Sequence, residues 1–115
     1  MNFEKLEVYK EALGLALEIY KLTKSFPKDE LFGIVSQIRR AVVSISLNIA
    51  EGSSRGKKDF SHFLNIARGS YYELVPLLKI SFELGYINNT EYQRFYERVD
   101  TLARRISALK ISVNR

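Results

Sequence analysis

The sequence predicts an all-α protein, an up-down-up-down bundle of four antiparallel helices. Apolar residues recur at spacings of three and four along four long segments, which is the period of an amphipathic helix. Glycine, proline and polar residues separate these segments at three places. Because the connections are short, consecutive helices must run antiparallel to each other. No stretch of any length alternates between apolar and polar residues as a strand does.

The first predicted helix runs from Phe3 to Lys24 and ends ahead of Pro27, since a proline disfavours helical backbone at the residue before it. It carries two apolar stripes. One consists of Leu6, Leu13, Ala16 and Tyr20, and the other of Val8, Ala12, Leu15, Ile19 and Leu22. A helix that is apolar over most of its circumference must be covered on more than one side. The apolar residues beyond a single core stripe therefore predict a hydrophobic contact between subunits.

The second predicted helix begins near Asp29, a good N-cap residue, and ends at Gly52. Its core stripe consists of Ile38, Val42, Ile45 and Ile49. Val43 and Leu47 lie on a different side, and we expect these two residues to contact a neighbouring subunit. A narrow polar seam runs between the two apolar sides and consists of Gln37, Arg40, Ser44, Asn48 and Glu51.

The third predicted helix runs from about Asp59 to Leu84 and is terminated by Gly85. Gly69 lowers the stability of this helix, so we interpret it as a point of close packing. The core stripe consists of Phe60, Leu64, Ala67, Tyr71, Leu74 and Leu78.

The fourth predicted helix begins at Thr90. Gln93 follows three residues later, which matches the spacing of a capping box. It then carries the cleanest heptad pattern in the chain, which consists of Tyr92, Phe95, Val99, Leu102, Ile106, Leu109 and Val113.

Length and composition restrict the class of protein further. The 115 residues fit a single domain over residues 1–115, and the net charge of +5 permits a polyanionic partner such as nucleic acid. The chain has no cysteine, which excludes disulfides and cysteine-based metal or redox sites. The N-terminal segment mixes Glu and Lys among its apolar residues, so we expect no signal peptide, no membrane span and a soluble, cytoplasmic protein.

Nine basic residues are candidates for nucleic-acid contact, because arginine and lysine side chains bind phosphate. They are Arg39, Arg40, Arg55, Lys57, Lys58, Arg68, Arg94, Arg98 and Arg105. An alternative applies to two of them if the second and third helices form a hairpin. Arg40 would then lie opposite Glu73, and Arg68 would lie near Ser44 and Asn48. Partly buried pairs of that kind hold a bundle in register, and we favour this structural role for Arg40 and Arg68.

The loop between the second and third helices resembles a phosphate-binding loop only superficially. Its glycines, Gly52 and Gly56, are one residue too close, no Ser or Thr follows Lys57, and a helix precedes the loop instead of a strand. We interpret it as a solvated turn. Because it is exposed, polyanion contact is more favoured for Arg55, Lys57 and Lys58 than for the helical arginines.

No complete set of catalytic or metal-binding groups is visible. Asn48 and Glu51 lack a partnering base, nucleophile or metal, so we interpret them, together with Glu73 opposite Arg40, as structural residues of the polar seam. The Glu-x-x-His pairs of four-helix metal proteins are missing, because only Asp59 precedes His62 at that spacing. We therefore predict no enzyme activity, no metal and no cofactor. Seven tyrosines and seven phenylalanines are base-stacking candidates, but most lie on core stripes and are expected to pack there.

The segments QIRRA, SISLNIAEG and ARGSYYEL, with LEVYKEA near the start, resemble the bacterial four-helix bundle proteins of the 23S rRNA-intervening sequence type. The resemblance covers nearly the whole chain, and Tyr9 stands where tryptophan is frequent. It implies a left-handed bundle that assembles as a ring-like homopentamer without enzymatic activity. It also implies a distant relationship to a basic, pentameric accessory protein of diversity-generating retroelements, which binds nucleic acid and a reverse transcriptase.

Two functional hypotheses follow. In the first, a homo-oligomer binds RNA or DNA through its clustered basic residues, and five copies would carry roughly +25 of charge. In the second, the oligomer is a scaffold or accessory subunit that docks a protein such as a polymerase or reverse transcriptase.

Overall fold

The computed structural model describes residues 2–115, apart from the side chain of Phe3. This part of the chain forms four α-helices and no strand, which confirms the predicted all-α four-helix bundle. The helices are α1 (Phe3–Thr23), α2 (Ile34–Ser53), α3 (Lys57–Glu83) and α4 (Asn89–Val113), and a short 3-10 turn at Lys28–Glu30 precedes α2.

Each helix packs against two others, so the bundle has four sides. The packed pairs are α1 with α2, α2 with α3, α3 with α4, and α1 with α4. The α1–α2 side and the α3–α4 side are therefore opposite long sides of the bundle. Arg105 pairs with Glu11, and Arg98, seven residues earlier, pairs with Glu18, seven residues later. The paired residue number falls along α4 as it rises along α1, which is the pattern of antiparallel neighbours. The left-handed sense of the bundle stays a prediction.

The core contains most residues of the predicted stripe of every helix, and Leu22, Tyr71, Tyr92 and Val113 pack against it while partly buried. In α2 the predicted stripe is fully buried, and in α4 the five central heptad residues are buried. Of the two stripes in α1, the one from Val8 to Ile19 enters the core, whereas Leu13 and Tyr20 of the other stay partly exposed. Part of this other stripe, but not its buried Ala16, is thus left on the surface. None of the four helices, over the part described, has an apolar stretch that could cross a membrane.

The beginning of α2 differs from the prediction. Asp29 lies in the 3-10 turn, and α2 begins only after Gly33. The reason is the hydrogen-bond pattern that follows Pro27. Glu30 N–H donates to Pro27 O and Gly33 N–H donates to Glu30 O, both across three residues, and the first α-helical bond joins Gln37 N–H to Gly33 O.

The capping residues of α4 also differ from the prediction. The N-cap is Asn88, whose side chain accepts from Glu91 N–H at 2.8 Å while the Glu91 carboxylate accepts from Asn88 N–H at 2.9 Å. A capping box thus exists two residues earlier than the predicted Thr90–Gln93 pair. An asparagine and a glutamate satisfy the same free amides as a threonine and a glutamine do.

The close-packing glycine is Gly52, not Gly69 as predicted. A Cβ atom on Gly69 would meet no atom within 4 Å, whereas one on Gly52 would lie 2.7 Å from Phe63 Cβ and 2.8 Å from Phe60 Cδ1. The tight crossing of α2 and α3 is therefore at their shared end. Gly85 terminates α3 as predicted, with a φ of 77° that a residue with a Cβ atom rarely adopts.

Candidate interaction surfaces

The α1–α2 side carries an apolar groove of about 290 Å³. Val43 and Leu47, the predicted interface residues, both line it. Leu47 is 62% exposed, whereas Val43 is half-buried against the core. The other lining residues are Tyr9, Leu13, Ala16, Leu17, Tyr20, Ser46 and Ala50. No charged side chain lines the groove. A contiguous apolar surface of this kind is typical of a site that another protein surface covers.

A polar cleft of about 430 Å³ lies next to this groove, between α2 and α3, and Val43 and Leu47 border both. Ser70 Oγ donates to Ser44 Oγ at 2.9 Å, which joins the two helices. Asn48 Nδ2 donates to Ser44 O at 2.7 Å. These bonds agree with the structural role predicted for the polar seam. Serine at position 70, two residues beyond Arg68, is the residue that meets Ser44.

The other members of the seam make different contacts from those expected. Arg40 and Glu73 line the same cleft, but no ion pair joins them within residues 2–115. Glu51 is exposed and accepts from Arg55 Nη2 at 2.5 Å, one turn further along the chain. Arg68 points away from Ser44 and Asn48 and lines a groove on the α3–α4 side. The expected neighbours of Arg68 were wrong because a shift of two residues along a helix moves a side chain to another face.

Three of the nine candidate basic residues are held by α1. Arg39 Nε donates to Thr23 Oγ1 at 3.0 Å, and its guanidinium lies 4.6 Å from the centroid of the Tyr20 ring. A cation at this place also complements the negative end of the α1 dipole. Arg98 pairs with Glu18 and Arg105 with Glu11. These three arginines join helices, which leaves them less available to an outside ligand.

A second group of basic residues gathers at the end of the bundle where α3 begins. Lys57 and Lys58 form its first turn, where the helix dipole adds positive potential. Lys57 Nζ donates to the Arg115 carbonyl at 3.1 Å. The hydrogen bond to Glu51 raises the pKa of Arg55. A groove of about 340 Å³ at this end is lined in part by Lys5, Arg55 and Lys57.

The remaining candidates lie on helix surfaces. Arg40 and Arg94 are exposed, and Arg94 lies 4.7 Å from the centroid of the Phe95 ring. Arg68 Nη2 donates weakly to Tyr72 Oη at 3.4 Å. Tyr72 is not among the functional residues predicted from the sequence. The sequence pattern nevertheless predicts that Tyr72 is exposed, because Tyr71 occupies the core stripe of α3 and the next residue must then turn outward.

The described residues contain no group of three or more His, Cys, Asp or Glu side chains that could hold a metal ion. The described surfaces include one apolar groove and grooves lined by basic residues, which are suited to binding partners.

The sequence model of the 23S rRNA-intervening sequence proteins matches residues 4–108. A crystal structure of a protein with unknown function from the S23 ribosomal protein family of Bacteroides thetaiotaomicron VPI-5482 has the same fold, with a TM-score of 0.86 at 24% sequence identity. The alignment covers 94% of this chain and 98% of that one. No curated protein matches the chain.

Proposed function

Because the chain belongs to the 23S rRNA-intervening sequence protein family, we propose that it is a non-enzymatic homo-oligomer, a pentamer, that binds RNA or DNA in the cytoplasm. The observation that carries the proposal is the cluster of basic residues where α3 begins. Arg55, Lys57 and Lys58 are all exposed there. Their positive charges add to the α3 dipole at the same end, so a phosphate backbone would meet a concentrated positive potential.

Assembly is proposed to use the α1–α2 groove. Leu17 and Leu47 expose 59% and 62% of their surface, which is costly for a chain that stays alone in water. In a ring, the groove of one subunit contacts a different surface of the next. Each added copy multiplies the positive charge, which strengthens long-range attraction of polyanions.

The test is filter binding of a structured RNA across a salt series. We expect affinity to fall steeply with salt, because each phosphate contact releases bound counterions. The variant Lys57→Gln with Lys58→Gln should lower the slope by roughly 0.7–0.9 for each phosphate contact that is lost. A matched control removes the same charge at the other end of the bundle, with Lys21→Gln and Lys24→Gln. The absence of binding by the unmodified protein at low salt would refute the proposal.

The second candidate function, a scaffold that docks a protein such as a polymerase or reverse transcriptase, is favoured by one observation. Phe32 is 94% exposed and Leu31 is 48% exposed in the turn before α2, at the end of the bundle opposite the basic cluster. Exposed aromatic residues frequently anchor protein interfaces. A partner that co-purifies after nuclease treatment, and is lost with Phe32→Ser, would support the scaffold over nucleic-acid binding.

A further inference from the structure

We infer that the groove between α3 and α4 binds single-stranded RNA, with a base stacked on Tyr72 and phosphates held by Arg68 and Arg104. The inference rests on the proposed function, and it names the form of the nucleic acid and the side of the bundle that receives it. This groove is distinct from the basic cluster at the start of α3.

The shape of the groove suits a flat, partly apolar group. It encloses about 410 Å³ between the two helices, and small residues, Ala103, Ser107 and Ala108, form its α4 wall together with Ile111. Tyr72 is 62% exposed beside it, so one face of the ring is available to a ligand. Base–aromatic stacking requires this combination of an exposed ring and a groove that admits the base.

Basic side chains follow the groove on both helices. The Arg68 guanidinium lies 6.0 Å from the centroid of the Tyr72 ring. Arg104 is 81% exposed in its side chain and pairs with Asp100 at 2.9 Å. Lys110 Nζ donates to Asn65 Oδ1 at 2.7 Å across the same helix pair. No acidic side chain lines the groove itself. A row of cations beside a stacking ring matches a chain of bases joined by phosphates.

The same charges argue against a second copy of this chain as the occupant. If the α3–α4 side received the α1–α2 groove of the next copy in the ring, Arg68 and Arg104 would be buried against a groove that no charged residue lines. If two α3–α4 sides met, the arginines of both copies would repel each other. A duplex is disfavoured as well, because its bases are stacked on each other and cannot reach Tyr72. A ligand that both stacks on the Tyr72 ring and pairs its phosphates with Arg68 and Arg104 must have unpaired bases.

Hydroxyl groups in the groove favour RNA over DNA. The Ser107 hydroxyl makes no hydrogen bond within residues 2–115, and Tyr71 lines the groove beside it. The Tyr71 hydroxyl is protonated at neutral pH, as a tyrosine is with its ordinary pKa, and burial, with a smaller contribution from the charge of Asp100, raises that pKa further. A ribose 2′-hydroxyl both donates and accepts, and it is the group by which proteins distinguish RNA from DNA.

The experiment measures fluorescence anisotropy of a labelled oligouridylate of about 12 nucleotides, a length within the usual range of single-strand sites. A labelled RNA duplex and the matching deoxyuridylate are the comparison ligands. Tyr72→Ala should raise the Kd for oligouridylate roughly tenfold or more, since stacking on one ring contributes that much, and leave the Kd for the duplex unchanged. Tyr72→Phe keeps the ring and should bind nearly as the unmodified protein does. Phe32→Ala, at a distant exposed ring, is the matched control.

The outcomes separate this inference from the proposed function. If the unmodified protein binds neither RNA, both fail. If it binds RNA but Tyr72→Ala has no more effect than Phe32→Ala, the proposed function stands and the α3–α4 site is overturned. Equal affinity for the deoxyuridylate would overturn the assignment to RNA. Tyr72 is largely exposed, so its replacement should leave the melting temperature almost unchanged, and a melting curve of each variant verifies this.

Discussion

The α1–α2 side and the α3–α4 side of the bundle both expose large apolar side chains but differ in the charges that accompany them. Leu47 on the first side and Ile111 on the second are 62% and 61% exposed. No charged residue lines the α1–α2 groove. Two arginines line the α3–α4 groove. The difference is therefore one of charge, and it determines which partner each side can accept.

The contacts that the arginines make on each side explain this difference. Arg39, at the edge of the α1–α2 side, is bound to Thr23 and lies over the Tyr20 ring. Its charge is engaged inside the chain, which leaves the groove free for an apolar partner. Arg68 makes only a weak bond, to Tyr72 one turn away, and its charge remains available. Self-association is thus compatible with the first side, and a polyanion with the second.

The largest expected effect tests this comparison directly. Leu47→Glu places a charge in the centre of the α1–α2 groove, where burial at a subunit contact would remove it from water at a cost of several kcal/mol. We expect the proposed oligomer to dissociate, and light scattering coupled to size exclusion should report a mass near the 13.3 kDa of one chain. Val43→Glu should act in the same direction, but Val43 also packs on the core, so unfolding must be monitored for that variant.

Ile111→Glu is the matched control, because it introduces the same side chain at the same exposure on the opposite side. It should leave the mass of the assembly unchanged. If Ile111→Glu dissociates the oligomer and Leu47→Glu does not, the assignment of the two sides is reversed.

The sequence was sufficient for the fold because its core residues recur at helical spacing. Most residues of the four core stripes were correctly predicted, as was the surplus of apolar residues on α1, of which Leu13 and Tyr20 lie at the surface. The errors fell at helix starts. Asp29 and Thr90 are both good capping residues, and only backbone geometry decides which of several nearby candidates takes the position. The predicted close-packing role of Gly69 was wrong because residue spacing along one helix does not reveal which residues of other helices lie opposite.

The candidate surfaces were less predictable than the fold. Val43 and Leu47 could be placed outside the core because helical spacing excludes them from the stripe. The basic residues could be identified, but those that join helices could not be distinguished from those that face a ligand. Pairing with Glu11 or Glu18 depends on the register between α1 and α4. That register arises from packing over the whole helix length. Tyr72 was missed because aromatic residues are expected in the core, although the assignment of Tyr71 to the core stripe already implied that Tyr72 turns outward.

A smaller effect is expected from Gly69→Ala, which tests whether assembly extends beyond the α1–α2 side onto α3. Gly69 is exposed, and an added Cβ meets no atom within 4 Å in the chain. Alanine is favoured over glycine inside a helix by about 0.8–1 kcal/mol, so the free energy of unfolding should rise by about that amount in urea titrations. If the variant lowers stability or reduces the oligomer mass, another subunit packs against α3 at this point. Gly52→Ala is the contrasting control, and it should destabilise because its Cβ would collide with Phe63.

The smallest effect is expected from Arg105→Gln, and it distinguishes an arginine that joins helices from one that faces a ligand. Arg105 pairs with Glu11 on α1, and both side chains are partly exposed, so solvent screening limits the pair to about 0.2–1 kcal/mol of stability. Urea titration should show a loss in that range that shrinks as salt rises. RNA affinity should stay close to that of the unmodified protein, whereas Arg68→Gln should weaken RNA binding without a comparable loss of stability. The two substitutions remove the same charge, so any difference in RNA affinity comes from position. If Arg105→Gln weakens binding as much as Arg68→Gln does, the protein attracts RNA through its overall charge, and the α3–α4 side has no special role.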